Sequence, residues 1–168
     1  MHFISDELRD SYISLRIQFQ EAVTWAQRVK ICMPNAKLMA PATENEIHDA
    51  ERSLNLELPT ELKGFLRESN GLNAIYSHPV CSVSKIVAMN HEYRTAEHFA
   101  DRMPFDHLLF FGDTGNGDDF AFPIYRSGEI GSVVFMWEHE TDCRQEYANG
   151  LSDFLIHYAL EFYSLRTE

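Results

Sequence analysis

The chain has 168 residues, room for one domain with a sizeable core, and its 45% hydrophobic and 12% aromatic content excludes a disordered chain. Its formal charge of −12, from 26 acidic against 14 basic residues, excludes a sequence-independent grip on DNA or RNA, which needs a Lys/Arg surface against phosphates. The acidity is compatible either with plain solubility or with steering toward a basic protein partner.

At the N-terminus, Met1 to Asp10 carries Asp6, Glu7, Arg9 and Asp10 rather than a basic segment followed by an apolar one, so no secretory signal is read there. From Asp6 to Val29, Leu8, Tyr12, Leu15, Phe19, Ala22, Ala26 and Val29 step by four and three, which predicts one amphipathic helix. Its stripe reads as a core face, with a coiled-coil dimer as the alternative, so a monomer or weak homodimer is expected. Pro34-Asn35 ends this element. Thr43 and Glu46 form a capping box before Ile47, Ala50 and Leu54, the buried face of a second helix. Pro59 suits the first position of a third helix with Leu62, Phe65 and Leu66 inward, and Asn70-Gly71 stops it.

Leu72 to Phe105 is less regular, with a short strand expected near Ala74 to Ser77 and a short helix near Ser84 to Ala88. Leu108 to Phe111 and Phe120 to Ile124 flank a Gly/Asp-rich turn and read as a hairpin, with Asn116-Gly117 able to supply positive φ. Val133, Phe135 and Trp137 alternate with Val134, Met136 and Glu138 at strand period. A last helix begins near Ser152, with Leu151, Phe154, Leu155, Tyr158 and Phe162 on its apolar face. Helices, then clustered strands, then a closing helix predict an α+β fold, helices packed on a mostly antiparallel sheet. No repeat or linker divides the chain, so residues 1–168 read as a single domain.

Chemical motifs are sparse. Gly112 to Asp118 lacks the Lys-Ser/Thr of a phosphate loop, and as a calcium loop it places Gly115 and Ile124 where oxygen ligands are required. His91-Glu92 opens like a zinc-protease motif, but Thr95 stands where the second His belongs. Glu138-His139-Glu140 lacks convergent ligand spacing, and no Gly-x-Ser-x-Gly elbow occurs. Cys32, Cys81 and Cys143 are widely spaced without a Cys-x-x-Cys, which suggests a reducing compartment; none is flagged as a nucleophile. No catalytic residue, metal or cofactor is expected, and no stretch reaches the ~18 apolar residues of a membrane span. A cytoplasmic protein is expected.

Charge distribution is more informative. Between Met103 and Cys143 stand Asp106, Asp113, Asp118, Asp119, Glu129, Glu138, Glu140 and Asp142, against Arg126 alone. If the hairpin ends gather on one side, they make an acidic rim with interleaved aromatics as anchors. Phe120 and Phe122 read as core, which leaves Tyr125 and Trp137. The candidate partner-binding set is therefore Asp113, Asp118, Asp119, Tyr125, Trp137, Glu138, Glu140 and Asp142.

The blocks Pro41-Ala-Thr-Glu-Asn-Glu-Ile47, Leu58-Pro-Thr-Glu-Leu-Lys-Gly-Phe-Leu66, Ser69-Asn-Gly71, Gly112 to Asp118, Gly131-Ser-Val-Val-Phe-Met-Trp-Glu-His139 and Leu151-Ser-Asp-Phe-Leu155 occur in a telling order. Together, from Ala40 to Leu160, they resemble the SUKH superfamily, which includes the fungal Smi/Knr cell-wall-synthesis regulators. The resemblance implies a SUKH-like α+β domain without catalytic residues. It also implies an immunity protein that binds a cognate toxin domain, a nuclease in many cases, of a polymorphic toxin system. The partner would be a basic protein domain, not nucleic acid or membrane. A Smi/Knr-type interaction scaffold or regulator is the alternative the same resemblance implies. Most matched positions, among them Thr43, Glu46, Leu58, Pro59, Gly112, Asp113, Gly115, Gly117, Asp118 and Trp137, look like fold determinants. Asn149-Gly-Leu-Ser152 departs from the Ser-Phe pair of many members, and Cys81 to Asp106 is only loosely family-like, which leaves the partner-facing surface open.

Overall fold

A computed structural model describes residues 6–163. The expected helix from Asp6 to Val29 is two helices, α1 (Asp6–Glu21) and α2 (Trp25–Cys32). The break is a capping box: Thr24 Oγ1 accepts from the Gln27 amide at 3.1 Å, and Gln27 Oε1 accepts from the Val23 and Thr24 amides at 2.7 and 3.1 Å. The apolar steps run on across it because both helices pack inward, with Phe19, Ala22 and Val29 buried.

After β1 (Lys37–Leu38), α3 (Glu44–Leu54) starts at the expected box, with the Glu46 amide 3.2 Å from Thr43 Oγ1 and the Thr43 amide 2.7 Å from Glu46 Oε2. In α4 (Thr60–Glu68), Pro59 is the capping residue rather than the first helical one. Gly71, at φ 110°, turns the chain out of α4. The strand expected at Ala74 to Ser77 is instead the tip of a hairpin between β2 (Leu72–Ala74) and β3 (Ser77–Val80). Strand-forming Ile75 and Tyr76 sit in the turn, so local propensity misplaces the element. β1, β2 and β3 form one antiparallel sheet. The helix that follows, α5 (Val83–Thr95), is longer than the short one expected and is capped by Ser82.

The second sheet has the order β4 (Leu108–Asp113), β5 (Asp119–Pro123), β6 (Val134–Glu138), β7 (Cys143–Ala148), all antiparallel. β7 carries no strand signal, because Cys143-Arg-Gln-Glu146 has no apolar alternation; it is an edge strand that leaves Cys143 and Glu146 exposed while Arg144 lies over the Phe105 ring. Both faces of the sheet are covered. On one, Tyr93 of α5 meets Phe110 and Trp137 at ring separations of 4.7 and 5.4 Å. On the other, Phe154 of α6 (Leu151–Tyr158) meets Phe111 and Phe120 at 5.3 and 4.7 Å. Phe120 and Phe122 are core, as expected. The fold is α+β.

Asn90 of α5 is fully buried against β4, whose outer edge faces no further strand of its own sheet. Its Nδ2 donates to the Phe110 carbonyl at 2.8 Å and its Oδ1 accepts from the Phe110 amide at 3.0 Å. One carboxamide thus does what a neighbouring strand would do. Asn90→Ala strands two buried backbone groups and should destabilise the fold by ~3 kcal/mol, seen as a lower urea midpoint at unchanged m value.

Candidate functional site

The strand register places three turns at one end of the molecule. Asp113 pairs with Asp119, Asp119 with Trp137, and Glu138 with Cys143, so the β4–β5 and β6–β7 turns are neighbours. The β2–β3 tip lies beside them, because a Cβ on Gly115 would fall 2.0 Å from the Tyr76 carbonyl oxygen.

Carboxylates hold these turns in shape. In the β4–β5 turn the Thr114 amide and hydroxyl each donate to the Asp118 carbonyl at 3.0 Å. The positive φ values fall on Gly115 and Gly117 (81° and 109°), not on Asn116. Asp118 Oδ1 accepts from the His139 amide at 3.0 Å and lies 2.8 Å from His139 Nδ1, which couples this turn to the next. Asp142 Oδ1 accepts from the Trp137 indole at 2.7 Å, and its Oδ2 accepts from the Met103 amide at 2.7 Å. Glu138 accepts from Gln145 at 2.8 Å and Thr141 at 3.0 Å. Asp113 takes Lys85 Nζ at 2.7 Å and the His78 amide at 2.9 Å. Burial alone would raise the Asp113 carboxyl, but the Lys85 ammonium and the His78 amide outweigh it and hold it below the usual carboxylate range. Asp142 is held low in the same way, by the Met103 amide and the Trp137 indole against burial.

Asp119 behaves differently. It is 4% exposed and accepts the Tyr93 hydroxyl. Burial pushes its carboxyl up to about 7; the Tyr93 hydrogen bond opposes this, and the charges of Asp113 and Asp118 add to it.

Seven of the eight expected partner-binding residues therefore meet at this end, but not as an exposed set. Trp137 is 2% exposed, its ring 5.0 Å from Phe105, and it serves the core; Asp119 is buried beneath the turns. Tyr125 is 51% exposed but lies in the β5–β6 connection at the opposite end, its amide bonded to the Glu129 carbonyl at 2.8 Å. The surface acids are Glu140, which is exposed, and the partly exposed Asp118 and Glu138. Lys85, His78 and Tyr93 join the site only through tertiary packing, and no sequence spacing links them to Asp113 or Asp119; Arg144 stands two residues from Asp142. Cys81, beside Asp113, is fully buried, and burial pushes its thiol up, away from nucleophilic use. Among the described residues no group of three or more His, Cys, Asp or Glu is placed to hold a metal ion, and no helix is long and apolar enough to cross a membrane.

The family model described as SMI1 / KNR4 family (SUKH-1) matches residues 41–157, from the segment before α3 into α6, and leaves α1 and α2 outside. No curated protein matches the chain.

The raised Asp119 carboxyl has a defined consequence for stability. An unfolded Asp titrates near ~3.9, so between about pH 4 and pH 7 the folded protein keeps a proton that the unfolded chain has lost, and stability falls as pH rises through that window. Asp113 and Asp142 act oppositely, their stabilisation fading as pH drops below the ordinary carboxylate range. Asp119→Asn keeps an acceptor for Tyr93 and removes the charge. It should be more stable than the native chain above pH 7, by ~4 kcal/mol, with the gain gone near pH 4, as read by urea unfolding across pH.

Proposed function

Because the chain belongs to the SMI1/KNR4 (SUKH-1) family, we propose that it is a non-catalytic immunity protein that binds and neutralises a basic toxin domain. Family membership is the observation that carries this reading. The acidic turn end supports it. Lys85 matches Asp113 and Arg144 approaches Asp142 at 3.5 Å, whereas Glu140 is exposed and Glu138 and Asp118 are partly exposed, Asp118 beside His139. A patch of one sign accelerates encounter with a basic surface, and turns already locked by their own hydrogen bonds lose little entropy on binding. The buried Cys81 thiol and the carboxylates engaged by their own chain also favour a binding protein over an enzyme.

Co-expression with the C-terminal domain encoded by the neighbouring gene is the direct test. Restored growth together with a one-to-one complex is expected; toxicity without rescue or binding overturns the reading. The association rate should fall steeply as salt rises. Reversing the charge of the exposed Glu140, by Glu140→Lys, should slow association roughly threefold at low salt and leave the thermal midpoint unchanged, as measured by stopped-flow binding and calorimetry.

A further inference from the structure

We infer that the β2–β3 tip, Ile75-Tyr76, is the apolar anchor with which this acidic end grips its partner, a protein surface with Lys/Arg around an apolar recess. The inference rests on the immunity reading and names its contact point.

Tyr76 is 88% exposed, yet it stands at φ 68°. A bulky aromatic in the left-handed region costs free energy that Gly or Asn would avoid. A side chain this exposed recovers none of that cost by packing into the core. Such an outlier, kept where the fold does not need it, points to a use outside the fold. Ile75 beside it is also exposed.

The tip is presented rigidly. Ser77 Oγ donates to the Ala74 carbonyl at 3.3 Å across the turn and shares a hydrogen bond with the Tyr158 hydroxyl of α6. On its far side the His78 amide donates to Asp113. The Tyr76 carbonyl presses on Gly115, where no larger residue fits. An aromatic ring on such a base loses few degrees of freedom when it is buried, the property that makes Tyr a frequent hot-spot residue.

Its neighbours specify the partner. From Tyr76 the surface runs across the β4–β5 turn to Asp118 and His139, then to Glu138 and Glu140, and on to Met103, which is 50% exposed with its amide held by Asp142. Apolar residues thus flank an acidic middle. A ring buried at the edge of a charge-complementary patch lets the acids govern association and the ring govern release.

The test compares Tyr76→Asn with the native chain, using the C-terminal domain encoded by the neighbouring gene as probe for the toxin domain. Asn tolerates the left-handed conformation, so the thermal midpoint should hold or rise. Affinity should fall roughly 30-fold, mainly through faster dissociation. Tyr125→Ala, at the opposite end, should leave affinity unchanged. Unchanged affinity of Tyr76→Asn, with the native chain binding normally, overturns the anchor alone and leaves the immunity reading standing. A lowered thermal midpoint shows that the ring serves the fold and overturns it as well. Failure of the native chain to bind the toxin domain removes the immunity reading, and the anchor with it.

Discussion

The close approach of β3 to β4 sets the rest of the architecture. A Cβ on Gly112 would lie 2.0 Å from the Pro79 carbonyl oxygen, and the Cys81 amide reaches the Phe111 carbonyl at 2.7 Å. Only a residue without a side chain permits this contact. It joins the three-stranded sheet to the four-stranded one and fixes where the β2–β3 tip stands relative to the β4–β5 turn. Gly115 repeats the constraint nearer the tip, against Tyr76. The shift in register of β4 between Phe110 and Gly112 falls at this same place, where Asn90 takes over the backbone groups of Phe110. A bulge, a glycine and one buried carboxamide together decide which loops become neighbours.

Acidic residues then serve two purposes at that end. Asp113, Asp118 and Asp142 accept backbone amides from other segments, which satisfies donors that turns leave unpaired and ties each turn to the next. Glu138 and Glu140 add charge at the surface. A region that reads by composition as an acidic surface is therefore in good part internal scaffolding. What it presents outward is a smaller charged strip on a rigid base. Rigidity matters for a binding surface because entropy already lost in folding is not lost again on association. Burial of Asp119 under the strip sets a protonatable carboxyl directly beneath these turns, so charge in this region changes near neutral pH.

The helices outside the family match are integrated with the rest rather than appended to it. Tyr12 of α1 donates to Asp153 of α6, and Arg28 of α2 donates to Ser152 at 3.0 Å. Trp25 meets Phe65 of α4 at a ring separation of 5.8 Å. Glu61 of α4 accepts the Leu151 amide at 2.9 Å and so caps α6 from another helix. These contacts place the N-terminal pair on the α6 side of the sheet, with the turn surface built from other elements.

By itself the sequence determined what depends on near neighbours. Thr43 and Glu46, the Leu58-Pro59 helix start, the Gly71 stop, the hairpin around Gly115 and Gly117 and the apolar face of α6 were all legible, because caps, turns and periodic faces are written within a few residues of themselves. The same kind of signal at Thr24 and Gln27 marks the break between α1 and α2, but an unbroken apolar stripe masks it. Tertiary structure alone decided the rest. β7 exists because β6 offers it a partner; Asp119 and Trp137 are buried because Tyr93 and Phe105 cover them; Tyr76 stands out because Gly115 holds its backbone from below. Each of these depends on segments far apart in the chain, and burial, unlike helix periodicity, is a property of what comes to lie on top.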